Sequence, residues 1–176
     1  MSDFRSPPDS IRTFLENTPV PLTVADPHQP DAPLVLVNNG FCELTGYGLD
    51  EMIGQNCRFL QGDKDQPTAR ADIREALSHG ADMQVVLDNQ RKDGSRFQNL
   101  LLLSTIRSRE GKVLWFVGSQ FDVTAAMGPD SLDRHAKVLE DGLQRLTSET
   151  MKLHIKTRQL MSSSIVSVVR AKLAAL

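Results

Sequence analysis

Residues 54–62 read GQNCRFLQG, a run that sets a thiol, Cys57, beside a guanidinium, Arg58, with carboxamides at Asn56 and Gln61 on adjoining turns of a short helix. Packing alone does not explain such a set. A thiol can form a covalent bond, each carboxamide offers both donor and acceptor, and a guanidinium holds an anion. The other cysteine, Cys42 in GFCELTGY, lacks cation or amide neighbours of this kind and reads as core. His28, His79, His135 and His154 share no spacing with one another, or with a carboxylate or thiol, that proposes a metal site or a Cys-His pair. GxxxxGK(S/T), a kinase signature, GxSxG and HExxH are all missing from the sequence. The expectation is therefore a protein that is not an enzyme and whose output is a change of contacts.

These residues need elements to hold them. Asp9 or Ser10 is expected to cap a short helix whose Ile11, Phe14 and Leu15 share one face. PLTVAD and PLVLVN read as an antiparallel strand pair joined by the turn-rich DPHQPDAP. From Asn39 to Gly62 the pattern breaks into short helical pieces punctuated by glycine, too short to stand without a surface beneath them. Pro67 opens a longer helix with an apolar stripe through Ala69, Ile73 and Leu77 or Ala76, ending at Gly80. Three strands follow, at about 83–90, 95–107 and 113–123, with tight turns at Asp93-Gly94 and Glu110-Gly111. Five strands with several helices make an α+β domain.

Beyond Gly128-Pro129, Ser131 can cap a long helix over about 131–160. Leu132, Ala136, Leu139, Leu143, Leu146, Thr150, Leu153, Thr157 and Leu160 recur on it at steps of four and three, which is heptad spacing. Met161 to Ser164 reads as a turn before a short helix over about 164–175. The seam needs a partner, and a homodimer is expected.

The 176 residues are 40% hydrophobic and 24% charged, the composition of one folded domain with an extension. No apolar run reaches the length of a bilayer helix and residues 1–10 lack a hydrophobic segment, so a cytoplasmic protein without membrane contact is expected. Residues 1–130 carry 12 Lys and Arg against 18 Asp and Glu, whereas residues 131–176 carry 8 against 4. A basic tail leaves nucleic-acid contact open, although cations scattered along a helix more often solvate its outer face.

GQNCRFLQG resembles the signature of LOV domains, the blue-light-sensing, flavin-binding branch of the PAS fold. The resemblance extends through PLTVADP, FCELTGY, Ile73-Arg74, Asn89 in DNQRKDG, Asn99 in RFQNL and FVGSQFDVT at 116–124. It covers about residues 20–124, between an N-terminal helical cap, 1–19, and a C-terminal helical extension, 125–176. It implies a five-stranded antiparallel sheet with helices on one face and FMN as cofactor. Asn89, Asn99 and Gln120 suit the alternating carbonyl and N–H edge of an isoalloxazine ring. Arg58 and Arg74 could clamp a terminal phosphate. By resemblance Asn56 and Gln61 also touch polar parts of the flavin, while Leu60, Ile73, Leu77, Leu101, Leu103, Phe116 and Gly118 form its apolar sandwich.

The resemblance further implies that the Cys57 sulfur bonds to flavin C4a after photoexcitation while N5 gains a proton. That proton turns N5 from acceptor to donor, so the amide of Gln120 must rearrange. The expected output is a light-sensitive change in homodimer association through the terminal helices, with an additional protein partner left open. Two other readings compete: a transcriptional regulator whose basic tail is a DNA-reading helix-turn-helix, and a PAS-type flavin redox sensor. Gln90, Ala32 and Leu101 depart from residues frequent in LOV domains.

Overall fold

The structure is a computed structural model that describes residues 7–127 and 143–174. Expectations resting on Leu132, Ala136, Leu139 and the Ser131 cap lie outside the described residues.

Five antiparallel strands form one sheet in the order β2-β1-β5-β4-β3. They are β1 (Leu22–Ala25), β2 (Leu34–Val37), β3 (Met83–Gln90), β4 (Arg96–Arg107) and β5 (Val113–Asp122). Alternation along each strand sends neighbouring side chains to opposite faces. Both faces of β5 are covered, and the run Trp115 to Gln120 is buried throughout.

One face carries α2 (Asn39–Thr45), α3 (Leu49–Met52), a 3₁₀ turn (Cys57–Gln61) and α4 (Pro67–His79). Phe41, Met52 and Leu60 pack there with Leu34 and Val37. The other face carries α1 (Asp9–Glu16) and α6 (Leu143–Ala174), the chain passing through the short α5 (Thr124–Met127) before α6. Ile11 and Leu15 of α1 and Ile165, Val166 and Val169 of α6 share a cluster with Leu22, Val24, Ile106, Trp115 and Val117. The helices between β2 and β3 thus lie on one face of the sheet, as expected, and the N-terminal cap and the C-terminal extension cover the other.

Asn38 fastens the N-terminal segment. Its side chain accepts from the Phe41 amide at the start of α2 and from the Leu22 amide, and it donates to the carbonyls of Leu15, Thr18 and Val20. The start of α1 differs from expectation. Pro8 stands at the cap position without a side-chain bond, and Asp9 is already in the first turn, where its charge meets the positive end of the helix dipole.

The turn expected at Met161 to Ser164 does not form, because α6 runs unbroken from Leu143 to Ala174. Serine lowers helix propensity only by about half a kcal/mol per residue. Burial of Ile165, Val166 and Val169 outweighs that, and the Ser162 hydroxyl meets the Ser119 hydroxyl at 2.9 Å inside the interface. The body-facing stripe of α6 is Ser162, Ile165, Val166 and Val169, whereas Leu160 of the heptad seam is 62% exposed. Leu160 and the docked stripe lie on different sides of one helix. No helix of the described residues is long and apolar enough to cross a membrane.

Candidate functional site

A cavity of about 660 Å³ lies between the sheet, the 3₁₀ turn and α4. Its wall follows from strand parity. Leu87 and Asn89 of β3, Asn99, Leu101 and Leu103 of β4, and Phe116, Gly118 and Gln120 of β5 all face it. Register sets them side by side, with Leu101 opposite Gln120 and Leu103 opposite Gly118. The 3₁₀ turn brings Asn56, Cys57, Arg58 and Gln61 to the cavity, and α4 brings Arg70, Ile73, Arg74 and Leu77.

Among the residues expected from the sequence, Leu60 alone stays off this wall. It is 1% exposed and sits behind Cys57 in the cluster with Phe41 and Met52. Cys57 packs against that same cluster.

Sequence reading missed several wall residues: Thr23 and Ala25 of β1, Leu34, Leu87, Arg70, and the β1–β2 loop with Gln29, Asp31 and Ala32. The β1 residues take their place from pairing, Thr23 lying opposite Gly118 across 95 positions of chain, which no local pattern specifies.

The polar wall is only partly satisfied by the protein. Asn99 donates to the Asn89 side-chain oxygen at 2.8 Å, leaving Asn99 Oδ1 without a partner, and Gln61 Oε1 is likewise unpartnered. Both residues are buried. An unmet buried acceptor costs about 1–3 kcal/mol, so the cavity calls for a ligand that presents N–H or O–H donors. The polar edge and ribityl hydroxyls of a flavin meet that demand, and the apolar side chains of Ile73, Leu77, Leu101 and Leu103 suit its rings.

Gln120 is fully buried. Both ends of its amide are satisfied when Nε2 donates to the carbonyls of Gly118 and Pro21 and Oε1 accepts from the Thr23 hydroxyl, each at 3.1 Å. A Cβ on Gly118 would stand 2.8 Å from both the Thr23 hydroxyl and the Gln120 amide, so glycine here keeps that pair intact as well as the cavity open.

Cys57 is partly exposed by area because it faces the cavity, yet protein encloses it, and burial pushes its thiol up to about 12. At neutral pH the sulfur keeps its proton. This is not the thiolate of a ground-state nucleophilic enzyme, which needs a depressed value.

At the cavity mouth, Arg58 pairs with Asp31 at 2.6 Å and Arg70 with Asp65 at 3.3 Å. Arg74 has no carboxylate partner among the described residues. No group of three metal-ligating side chains occurs among the described residues.

This sheet, with short helical pieces and a thiol at the wall of a half-polar cavity, defines a sensor domain, and residues 19–125 match the PAS domain family. The chain belongs to that family and, within it, to the LOV branch. The Rhodobacter sphaeroides LOV protein is 36% identical and superposes with a TM-score of 0.64 over 92% of this chain and 93% of that one. An RNA-binding light-oxygen-voltage receptor is 35% identical, with a TM-score of 0.66 over 79% of this chain and 42% of that one. A blue-light-activated histidine kinase of Rhizobium johnstonii is 46% identical over 62% of this chain and 32% of its own length. The chain thus spans about a third of the length of that curated relative.

Proposed function

We propose that this chain is a blue-light receptor that holds FMN in the cavity, and that Cys57 is the residue that captures the excitation. Buried acceptors without partners, Gln61 Oε1 and Asn99 Oδ1, in the same wall as a protonated thiol carry this reading. When bound, the flavin absorbs blue light and offers an electron-poor carbon to a neighbouring sulfur. With FMN held there, Cys57 would supply both the sulfur that bonds to the ring and the proton that the ring takes up, and reversal in the dark would return both to the thiol.

Asn89, Asn99 and Gln61 hold the polar edge, with Asn56 toward the ribityl chain. Arg58 and Arg74 face the phosphate. Ile73, Leu77, Leu101, Leu103, Phe116 and Gly118 enclose the rings. Gln120 would answer a proton gained by the ring by turning its amide, since an N–H that faces another N–H in a dry pocket costs about 1–3 kcal/mol. Its neighbour Ser119 points the other way, onto Ser162 of α6, so the turn at Gln120 reaches the terminal helix through one strand.

The output is self-association. Leu160, Met161 and Val168 on the outward side of α6 are exposed, and a second copy of the chain is the proposed occupant. In this reading the chain is a sensor unit without catalysis of its own. The unbroken course of α6 leaves no helix-turn-helix between 143 and 174, which disfavours the DNA-reading alternative.

The deciding experiment is an absorption spectrum before and after blue illumination. The purified protein is expected to be yellow, to lose its blue band on illumination and to regain it in darkness. Cys57→Ser should bind flavin and lose the bleaching; bleaching that persists in this variant would reject the thiol assignment.

A further inference from the structure

The loop between β1 and β2 bends over the cavity mouth in a strained shape. Asp26 closes its start, its carboxylate accepting from the His28 amide and from Gln29 Nε2, each at 2.9 Å. At its far end Asp31 and Ala32 have φ of 68° and 44°, the left-handed region, and neither is glycine. Such strain persists only where surroundings enforce it, and it gathers at ligand clamps. Two arms from the 3₁₀ turn enforce it here: Asn56 Nδ2 donates to the Asp31 carbonyl, and Arg58 Nη1 pairs with the Asp31 carboxylate at 2.6 Å. Asp31, Ala32, Asn56 and Arg58 all line the cavity.

The cations at this mouth are therefore unequal. Arg58 already has an anion, supplied by the chain itself, and Arg74 has none among the described residues. A guanidinium has five N–H groups and can hold two anions, but the anions then repel each other. We propose that Asp31 is a specificity-determining residue: its carboxylate competes with the ligand's phosphate for Arg58, lowers the cavity's preference for phosphorylated over unphosphorylated flavin, and leaves Arg74 as the principal phosphate anchor. The inference rests on the flavin reading above and goes beyond it by naming an internal rival for the phosphate.

Its sign is fixed by charge. Asp31→Asn keeps side-chain size and tolerates the left-handed backbone, and it removes only the negative charge. Affinities of FMN and riboflavin for flavin-free protein, measured by quenching of flavin fluorescence in wild type and D31N, separate the phosphate contribution from that of the rings. Riboflavin affinity is expected to stay within about twofold, and the FMN-to-riboflavin ratio to rise by about three- to fivefold in low salt, the scale of a half-exposed ion pair. The gain should shrink as salt screens it. Arg74→Gln should lower the ratio more than Arg58→Gln.

An unchanged ratio in D31N would overturn the proposal. So would a fall, which would make Asp31 an aid that orients Arg58. An equal change in both affinities would assign Asp31 to loop shape and overturn it too. Failure of wild type to bind either flavin would instead remove the cofactor reading on which the inference stands.

Discussion

The Cys57 thiol has a pH signature that follows from burial alone. Its value rises from 9.0 in a model peptide to about 12 in the fold, so the folded state retains a proton that the unfolded chain releases. The associated stability is complete below pH 9 and is lost as pH climbs toward 12, by at most about 1.4 kcal/mol per pH unit. Urea unfolding of flavin-free protein between pH 8 and about pH 10 should therefore show a steeper alkaline loss in wild type than in Cys57→Ser. Equal slopes would mean that the thiol is solvated. At this scale the sequence was most informative: a thiol, a cation and amides within one nonapeptide are visible as residue types. Thr23 and Asp31 were not, since the first depends on β1–β5 register and the second on a left-handed turn outside glycine. Leu60 lies off the cavity wall, and a short turn does not reveal in sequence which of its apolar side chains faces inward.

Among the elements, α4 is unusual in having no buried residue, although Ile73 and Leu77 form the stripe that its sequence announces. The stripe faces the cavity, so part of the helix's apolar contact is left for a ligand to supply. Hydrogen exchange of amides in 67–79 should accordingly slow by tenfold or more, about 1.4 kcal/mol, when FMN is added to flavin-free protein. Amides of β1 and β5 in the sheet interior should change less. Uniform slowing across the chain would place the ligand's effect on global unfolding and not on α4. The contrasting case is α6, where the serine run suggested a break. Helix propensity there is a small local term, and the sheet's outer face decided the outcome through Ile165, Val166 and Val169. Strand positions were legible because turn residues and alternation are local. Coverage of the second sheet face was not, because it joins residues near 11 and 165 that no window contains.

Over the whole molecule, an acidic body carries a basic terminal stretch, and α6 presents Leu160, Met161 and Val168 to solvent beside its docked side. Leu160→Lys leaves the docked stripe untouched and puts a charge on the outward one. Sedimentation velocity should find wild type dimeric in one light state, and Leu160→Lys with a dimer affinity at least tenfold weaker, about 1.4 kcal/mol. A variant that dimerises as wild type does would move the interface off this side of α6.

One strand of the sheet, β5, is buried on both sides from Trp115 to Gln120. Phe116, Gly118 and Gln120 are pressed against the chamber that would hold the chromophore, and Val117 and Ser119 against the two terminal helices. A single layer of backbone thus separates the cavity from the helices packed on the far face. On the reading proposed above, a change at the chromophore would have this one strand to cross before it met α1 and α6, and sensing and output would share a single wall.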